Sequence, residues 1–158
     1  MSLRKEAGPG IVLADALTEE DVARLAKEGY RTILDLRAPT ESPQGDVLAV
    51  NEERRAAGDA GLGYENVPVS ISEADEELVG RVGERIREAE KPLLVHCSSG
   101  KRAGAMTLMN LGVERGMSAG ECLQHAASMG FDCESEPAMK SLVVGYLERH
   151  SPAHTPGR

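Results

Sequence analysis

The chain has 158 residues, a formal net charge of −8, no Trp, one Phe and three Tyr. That length suffices for one domain with its own core and no covalent staples. The negative charge argues against affinity for nucleic acid or an anionic membrane, and the few aromatic side chains argue against a base-stacking platform; a small anion held by a local basic loop stays compatible with both.

Taken in order, residues 1–10 are a lead-in without an apolar h-region, so no export signal is expected. Ile11-Val12-Leu13 is a short apolar run that predicts a first strand or an extended segment. Thr18-Glu19-Glu20-Asp21 has the pattern of a helix cap, with Val22, Leu25 and Ala26 as the inward stripe and Gly29 as the stop. Thr32 to Leu36 is β-branched and apolar enough for a buried strand, followed by turn formers from Ala38 to Gly45. Strand ends in α/β sheets border the ligand crevice, which makes Asp35 and Arg37 second-rank site candidates. A structural Asp–Arg pair is the preferred reading of these two.

Val47 to Ala60 predicts a helix, Tyr64 to Val69 a strand, and Ser72-Glu73-Ala74-Asp75 a second cap before Leu78, Val79, Val82 and Ile86. Leu93 to His96 is the next strand. After it, Gly116 stops one helix, Ser118 caps another through Ala127, and Pro137 opens the last, with Leu142, Val143, Tyr146 and Leu147 inward. Residues 151–158 form a tail expected to be disordered. Glu19-Glu20-Asp21 and Glu52-Glu53-Arg54-Arg55 read as solvated helix faces. Strand and helix alternate through the first two thirds. The expected fold is therefore a single α/β domain over residues 11–150, a mostly parallel central sheet flanked by helices, with a helical C-terminal part.

The chemistry concentrates where an apolar strand runs into His96-Cys97-Ser98-Ser99-Gly100-Lys101-Arg102 and then a helix carrying Ala103, Met106, Met109, Leu111 and Val113. Backbone N–H groups at a helix N-terminus lack intrahelical partners and the dipole is positive there, so Ser98 to Arg102 can point several donors at one anion. The same amides and the Arg102 guanidinium favour a thiolate at Cys97 and make it a nucleophile. Gly100 supplies a turn with positive φ or a close approach to the ligand. Adjacent His96 and Cys97 point to opposite sides of a strand, so His96 is expected to turn inward and orient the loop, and no metal site is expected.

Cys122 and Cys133 form no C-x-x-C pair with each other or with Cys97. One cysteine would be left over in any single-disulfide scheme, as in a reducing compartment, and the cytoplasm is the default location. Either could in principle resolve an oxidised or persulfidic Cys97, but incidental thiols are the preferred reading. No run approaches a transmembrane helix in length.

The loop from His96 to Arg102 resembles the signature loop of cysteine-dependent phosphatases of the protein tyrosine and dual-specificity type. Tyr30 to Arg37, Gly61 to Tyr64 and Asn66 to Val69 are similar to the same fold. Residues from about Val12 to Phe131 more closely resemble the bacterial phosphatase-like domain of beta-lactamase hydrolase-like proteins, a group also labelled sulfur transferases. One departure stands out: tyrosine phosphatase loops place five residues between Cys and Arg, whereas four separate Cys97 from Arg102 and Ala103 follows. That shorter spacing resembles the rhodanese-like sulfurtransferases.

The resemblance implies a phosphatase-like fold carrying a cofactor-free thiolate enzyme. Its expected reaction is sulfane sulfur transfer from thiosulfate or a persulfide through a Cys97 persulfide to an acceptor thiol, since the departing sulfite or thiolate needs no proton. The alternatives are a phosphatase working through phosphocysteine and a non-catalytic anion-binding module. Family phosphatases take a general acid from a neighbouring loop; the corresponding Glu73 and Asp75 are candidates, with helix capping the preferred reading of both.

Overall fold

The computed structural model describes residues 1–151. Its elements are β1 (Arg4–Gly8), β2 (Ile11–Ala14), α1 (Glu19–Lys27), β3 (Thr32–Asp35), α2 (Val50–Asp59), β4 (Gly63–Asn66), α3 (Glu76–Glu88), β5 (Leu93–His96), α4 (Lys101–Glu114), α5 (Ala119–Ser128) and α6 (Pro137–His150), with a short 3₁₀ turn at Ile71–Glu73. They fall into two compact units, Met1–Val69 with Arg85–Ala103, and Ser70–Glu84 with the chain from Gly104 on.

The first unit holds the whole sheet, in the order β1-β2-β5-β3-β4. β2, β5, β3 and β4 run parallel and β1 pairs antiparallel to β2, so the sheet is mostly parallel. Residues 1–10 thus contribute a strand as well as a lead-in. Arg4, Lys5 and Glu6 gave no strand signal because an edge strand tolerates charge and needs no apolar alternation. All four residues of β3 and of β5 are buried, as expected for inner parallel strands covered on both faces. α1 and α2 close one side of the core, where Val22, Leu25, Ala57 and Leu62 pack with Leu17, Ile33 and Leu94. α1 begins in a complete capping box between Thr18 and Asp21, and Asp21 is buried by that role rather than solvated.

The register matters most for function. Ala14, Asp35 and Asn66 lie level with His96 at the carboxyl edge of the parallel strands. The chain leaving central β5 is consequently flanked by the segments leaving β2 and β3.

The second unit is helical. Within it Gly104 lies against the Phe131 ring, Gly112 against Cys122 and Leu147, and α5 packs on α6. Residues 103–112 of α4 are buried on every side, so this helix carries no single stripe, and Val113 sits half-buried at its end. Asn110 is satisfied inside it by donating to Met106 O (2.9 Å) and Val79 O (3.0 Å). Of the tail expected to be disordered, residues 152–158 lie outside the described residues. Ser151 itself is buried, and its N–H and hydroxyl bond to Leu147 O and Met117 O.

Candidate active site

Cys97 follows β5 directly and α4 starts four residues later, so the thiol sits inside a strand-to-helix turn. The turn closes because Gly100 adopts φ of 95°, a region in which a Cβ would be strained; that Cβ would also collide with Leu3. In this conformation the Gly100 N–H donates to Cys97 Sγ at 3.1 Å. Cys97 has no exposed surface, whereas Ser98, Ser99 and Lys101 are exposed. Neighbouring segments pin the loop backbone: Leu36 N–H donates to His96 O (2.9 Å) and Ala16 N–H to Ser98 O (3.1 Å).

Arg102, in the first turn of α4, is held rather than free. Its Nη1 and Nη2 donate to the two oxygens of Glu41 at 2.7 and 2.8 Å, and Nη1 also donates to Val69 O at 3.0 Å. A guanidinium has five N–H bonds in a plane, so three are engaged at its far end and the Nε-side pair remains for the thiol and any bound anion. The Arg102 pKa is raised, by Glu41 first and also by Cys97 beside it. Arg102 in turn lowers that of Glu41, which stays ionised. Glu41 belongs to the loop of turn formers after β3, where nothing in the sequence marks it: one carboxylate among Pro, Thr and Ser is unremarkable until its partner 61 residues away is known. A cleft of about 320 Å³ opens beside this loop, lined by Ser98, Glu41, Asp15, Asp46, Gln44 and Thr18 among others, without an aromatic side chain.

Beneath the loop lies a buried polar network. Arg37 donates to Asp35 through Nε (3.0 Å) and Nη2 (2.9 Å), to Glu53 Oε1 through Nη2 (3.1 Å) and to Leu48 O through Nη1 (2.7 Å). The Tyr64 hydroxyl donates to Asp35 Oδ2 at 2.7 Å. Asp35 and Arg37 are thus a buried, mutually bonded pair, with Arg37 also reaching the lining of the cleft. Glu53 corrects the sequence reading: the solvated face expected at residues 52–55 includes a carboxylate with no exposure at all. His96 stands between this network and the loop, its Nε2 2.5 Å from Glu53 Oε2 and its Nδ1 3.2 Å from Cys97 O.

The charges in this network set one another. Burial pushes the Asp35 carboxyl up, but Arg37, His96 and the Tyr64 hydroxyl outweigh it and hold it below its ordinary value. Burial dominates at Glu53 and raises it despite His96 and Arg37. Burial alone would lower His96, but Glu53 and Asp35 reverse that and keep a proton on the pair. Asp35, Glu53 and His96 also bring three potential metal-ligand atoms within 4.8 Å of one another. Each is already bonded within the network, and the Arg37 guanidinium supplies the positive charge a cation would bring, so the arrangement fits a salt-bridged cluster rather than a metal centre.

The remaining candidates lie in the second unit. Asp75 caps α3, its Oδ1 accepting from Leu78 N–H at 2.9 Å. Glu73 ends the 3₁₀ turn and is exposed; Ser72, read as the cap, instead meets Ser70. Cys122 and Cys133 are buried free thiols. Burial pushes Cys122 up to about 11 and raises Cys133 as well.

Comparison with known proteins gives a consistent result. The model of the family described as "Beta-lactamase hydrolase-like protein, phosphatase-like domain" matches residues 5–113. Beta-lactamase hydrolase-like proteins from Xylella fastidiosa (strain 9a5c) and Agrobacterium fabrum are 34% identical over 135 residues and 29% over 136, in each case 84% of this chain. The chain spans only 28% and 29% of those two proteins.

Among solved structures, P. aeruginosa TpbA in complex with pTyr is similar with a TM-score of 0.75 at 18% identity, covering 98% of this chain and 91% of that one. Tk-PTP in its active form gives 0.71 at 20%, covering 92% and 96%. The core catalytic domain of the PP-IP phosphatase SIW14 from S. cerevisiae, in complex with citrate, gives 0.72 at 18%, covering 92% and 85%. At these identities the likeness establishes the fold, a protein tyrosine phosphatase-like one.

Proposed function

We propose, since the chain belongs to the family of the beta-lactamase hydrolase-like phosphatase domain, that it is a cysteine-dependent phosphatase acting on a small phosphomonoester or on a phosphoprotein. The observation that carries this reading is Cys97 Sγ accepting the Gly100 N–H at the start of α4 with Arg102 alongside. A thiol so placed meets backbone donors, a helix N-terminus and a guanidinium together, and an incoming phosphoryl group would meet the same positive field.

In this mechanism the amides of Ser98 to Arg102 and the Nε side of Arg102 hold the phosphoryl oxygens. Cys97 attacks phosphorus, an S–P bond forms, the ester P–O bond breaks and the alcohol leaves, taking its proton from solvent. Water then attacks phosphorus, the S–P bond breaks, and inorganic phosphate and the thiolate are regenerated. Glu41 positions Arg102 without sharing in proton transfer, because its ionised carboxylate is committed to the guanidinium. Asp75 is committed to its cap, so leaving-group protonation is assigned to neither Asp75 nor Glu73, and aryl esters, whose phenols have pKa values of about 10, are favoured over alkyl esters. TpbA is in complex with pTyr and SIW14 with citrate, which supports an anionic ligand for this chain. Among the described residues no helix is long and apolar enough to cross a membrane, and the three free thiols support a reducing compartment, which we take to be the cytoplasm.

Sulfane sulfur transfer is the second reading, favoured by the four-residue spacing between Cys97 and Arg102. Here Cys97 would take the outer sulfur of thiosulfate, releasing sulfite, and pass it to an acceptor thiol. Family and fold move the weight to phosphoryl transfer. Mass analysis of the quenched enzyme separates the readings: a phosphoryl adduct on Cys97 with p-nitrophenyl phosphate, absent in Cys97→Ser, supports the first. One added sulfur after thiosulfate, with aryl phosphates left intact, would replace it with the second. An anion-binding module would bind phosphate, with and without Cys97, and turn over neither.

A further inference from the structure

Glu53 has no assigned role in this chemistry, yet it is a carboxylate with no exposure on a helix whose neighbouring inward residues, Val50 and Ala57, are apolar. An isolated charge there would be costly, so its partners define its purpose. Oε1 accepts from Arg37 and Oε2 lies 2.5 Å from His96 Nε2. On the other side of the imidazole, Nδ1 is 3.2 Å from Cys97 O. A carbonyl oxygen only accepts, so Nδ1 carries a hydrogen, and the Nε2–Oε2 contact then holds one shared proton. The charged and titratable groups around His96 are Glu53 from α2, Asp35 and Arg37 at the end of β3, and the Tyr64 hydroxyl bonded to Asp35.

The peptide that His96 grips joins Cys97 to Ser98. In a trans peptide C=O and N–H point in opposite directions. Drawing the Cys97 carbonyl inward, toward His96, therefore turns the Ser98 N–H outward, onto the side of the loop where Ser98 is exposed and lines the cleft. The Ala16 N–H on Ser98 O fixes the next peptide in the same way.

We propose that Glu53 is a positioning residue for the anion cradle: through His96 it holds the Cys97 carbonyl inward and so aims the Ser98 amide at the bound oxyanion. The inference rests on reading residues 97–102 as an anion-binding loop, and the test keeps the two claims apart.

Cys97 is alkylated in the full chain with iodoacetate and, separately, with iodoacetamide, and the ratio of the two rates is taken. Both reagents lose iodide to the same thiolate, so thiol reactivity cancels and the ratio reports the cradle's preference for a carboxylate. Wild type is expected to favour iodoacetate, and inorganic phosphate to suppress that preference. Glu53→Gln, which cannot hold His96 in the same charge state, is expected to lower the ratio about tenfold, the equivalent of 1.4 kcal/mol. Glu53→Asp, which withdraws the carboxylate while keeping its charge, reads the same effect should the first variant not fold. A folded Glu53 variant with the wild-type ratio overturns the positioning role while leaving the anion-binding reading intact. A wild-type protein without preference between the reagents overturns the anion-binding reading itself. A loss of thermal stability with an unchanged ratio makes Glu53 structural only and also overturns the proposal.

Discussion

Two arginines sit at the carboxyl edge of this sheet, each gripped by a glutamate, and they differ in what those bonds leave over. Arg37 is 3% exposed, and its Nε, Nη1 and Nη2 are spent on Asp35, Glu53 and Leu48 O. Arg102 keeps a partly open side chain, and Glu41 and Val69 O take only its far end. Sequence treats both as a basic residue near a strand end. What separates them is which part of the guanidinium is left over: one Nη1 hydrogen for Arg37, the side facing Cys97 for Arg102. A buried guanidinium spent on carboxylates contributes to stability; under the proposed function, one clamped from behind would present its remaining donors to the ligand.

Breaking Arg37 is expected to have the largest effect. Arg37→Met removes the one guanidinium between two buried carboxylates and leaves only His96 and the Tyr64 hydroxyl to hold them, and a destabilisation of about 3–5 kcal/mol is expected in urea denaturation. Arg102→Met is the converse: a loss in kcat/KM on aryl phosphate on the order of 10²–10³-fold, with a stability change within about 1 kcal/mol. If the two variants exchanged these signatures, the division of labour between the two arginines would be reversed. Gly100→Ala sharpens the same contrast inside the loop. A side chain at φ of 95° meeting Leu3 is expected to cost about 1–3 kcal/mol and to displace the N–H from Cys97 Sγ, so activity and stability fall together.

A smaller effect comes from the cysteines. Cys97 and Cys122 are equally buried, but Cys122 Sγ faces Leu108 O rather than an amide and is pushed up to about 11. At pH 7 only about one part in 10⁴ of Cys122 is thiolate, so iodoacetamide is expected to label Cys97 first, as peptide mapping would record. Equal labelling of the two in native protein would erase the distinction.

The weakest expected signal is the pH dependence of Tm. Asp35 and Glu41 are held below their ordinary 3.8 and 4.5, so what they contribute is present above those values and lost as pH falls through the folded ones. His96 is raised above 6.5, so its contribution is complete below 6.5 and lost as pH rises through its folded value. Tm is expected to fall on both sides, with Glu53→Gln flattening the alkaline arm alone.

The sequence by itself determined whatever is local. Cys97, Gly100 and Arg102 are neighbours in the chain, so their turn, and the expectation that it gathers donors at a helix start, follow from spacing. The α1 and α5 caps and the strand that feeds the loop are legible for the same reason: each depends on contacts only a few residues apart. The tertiary structure alone decided which ordinary-looking carboxylates matter. Glu41 and Glu53 stand in stretches that read as a turn and as a solvated helix face, and they acquire roles only from Arg102 and His96, 61 and 43 residues away. It also decided that the charged residues Arg4, Lys5 and Glu6 lie in an edge strand and that residues 103–112 of α4 are all buried. A charged side chain carries no mark of its burial; the desolvation it tolerates is set by the partner the fold delivers, and that partner is invisible along the chain.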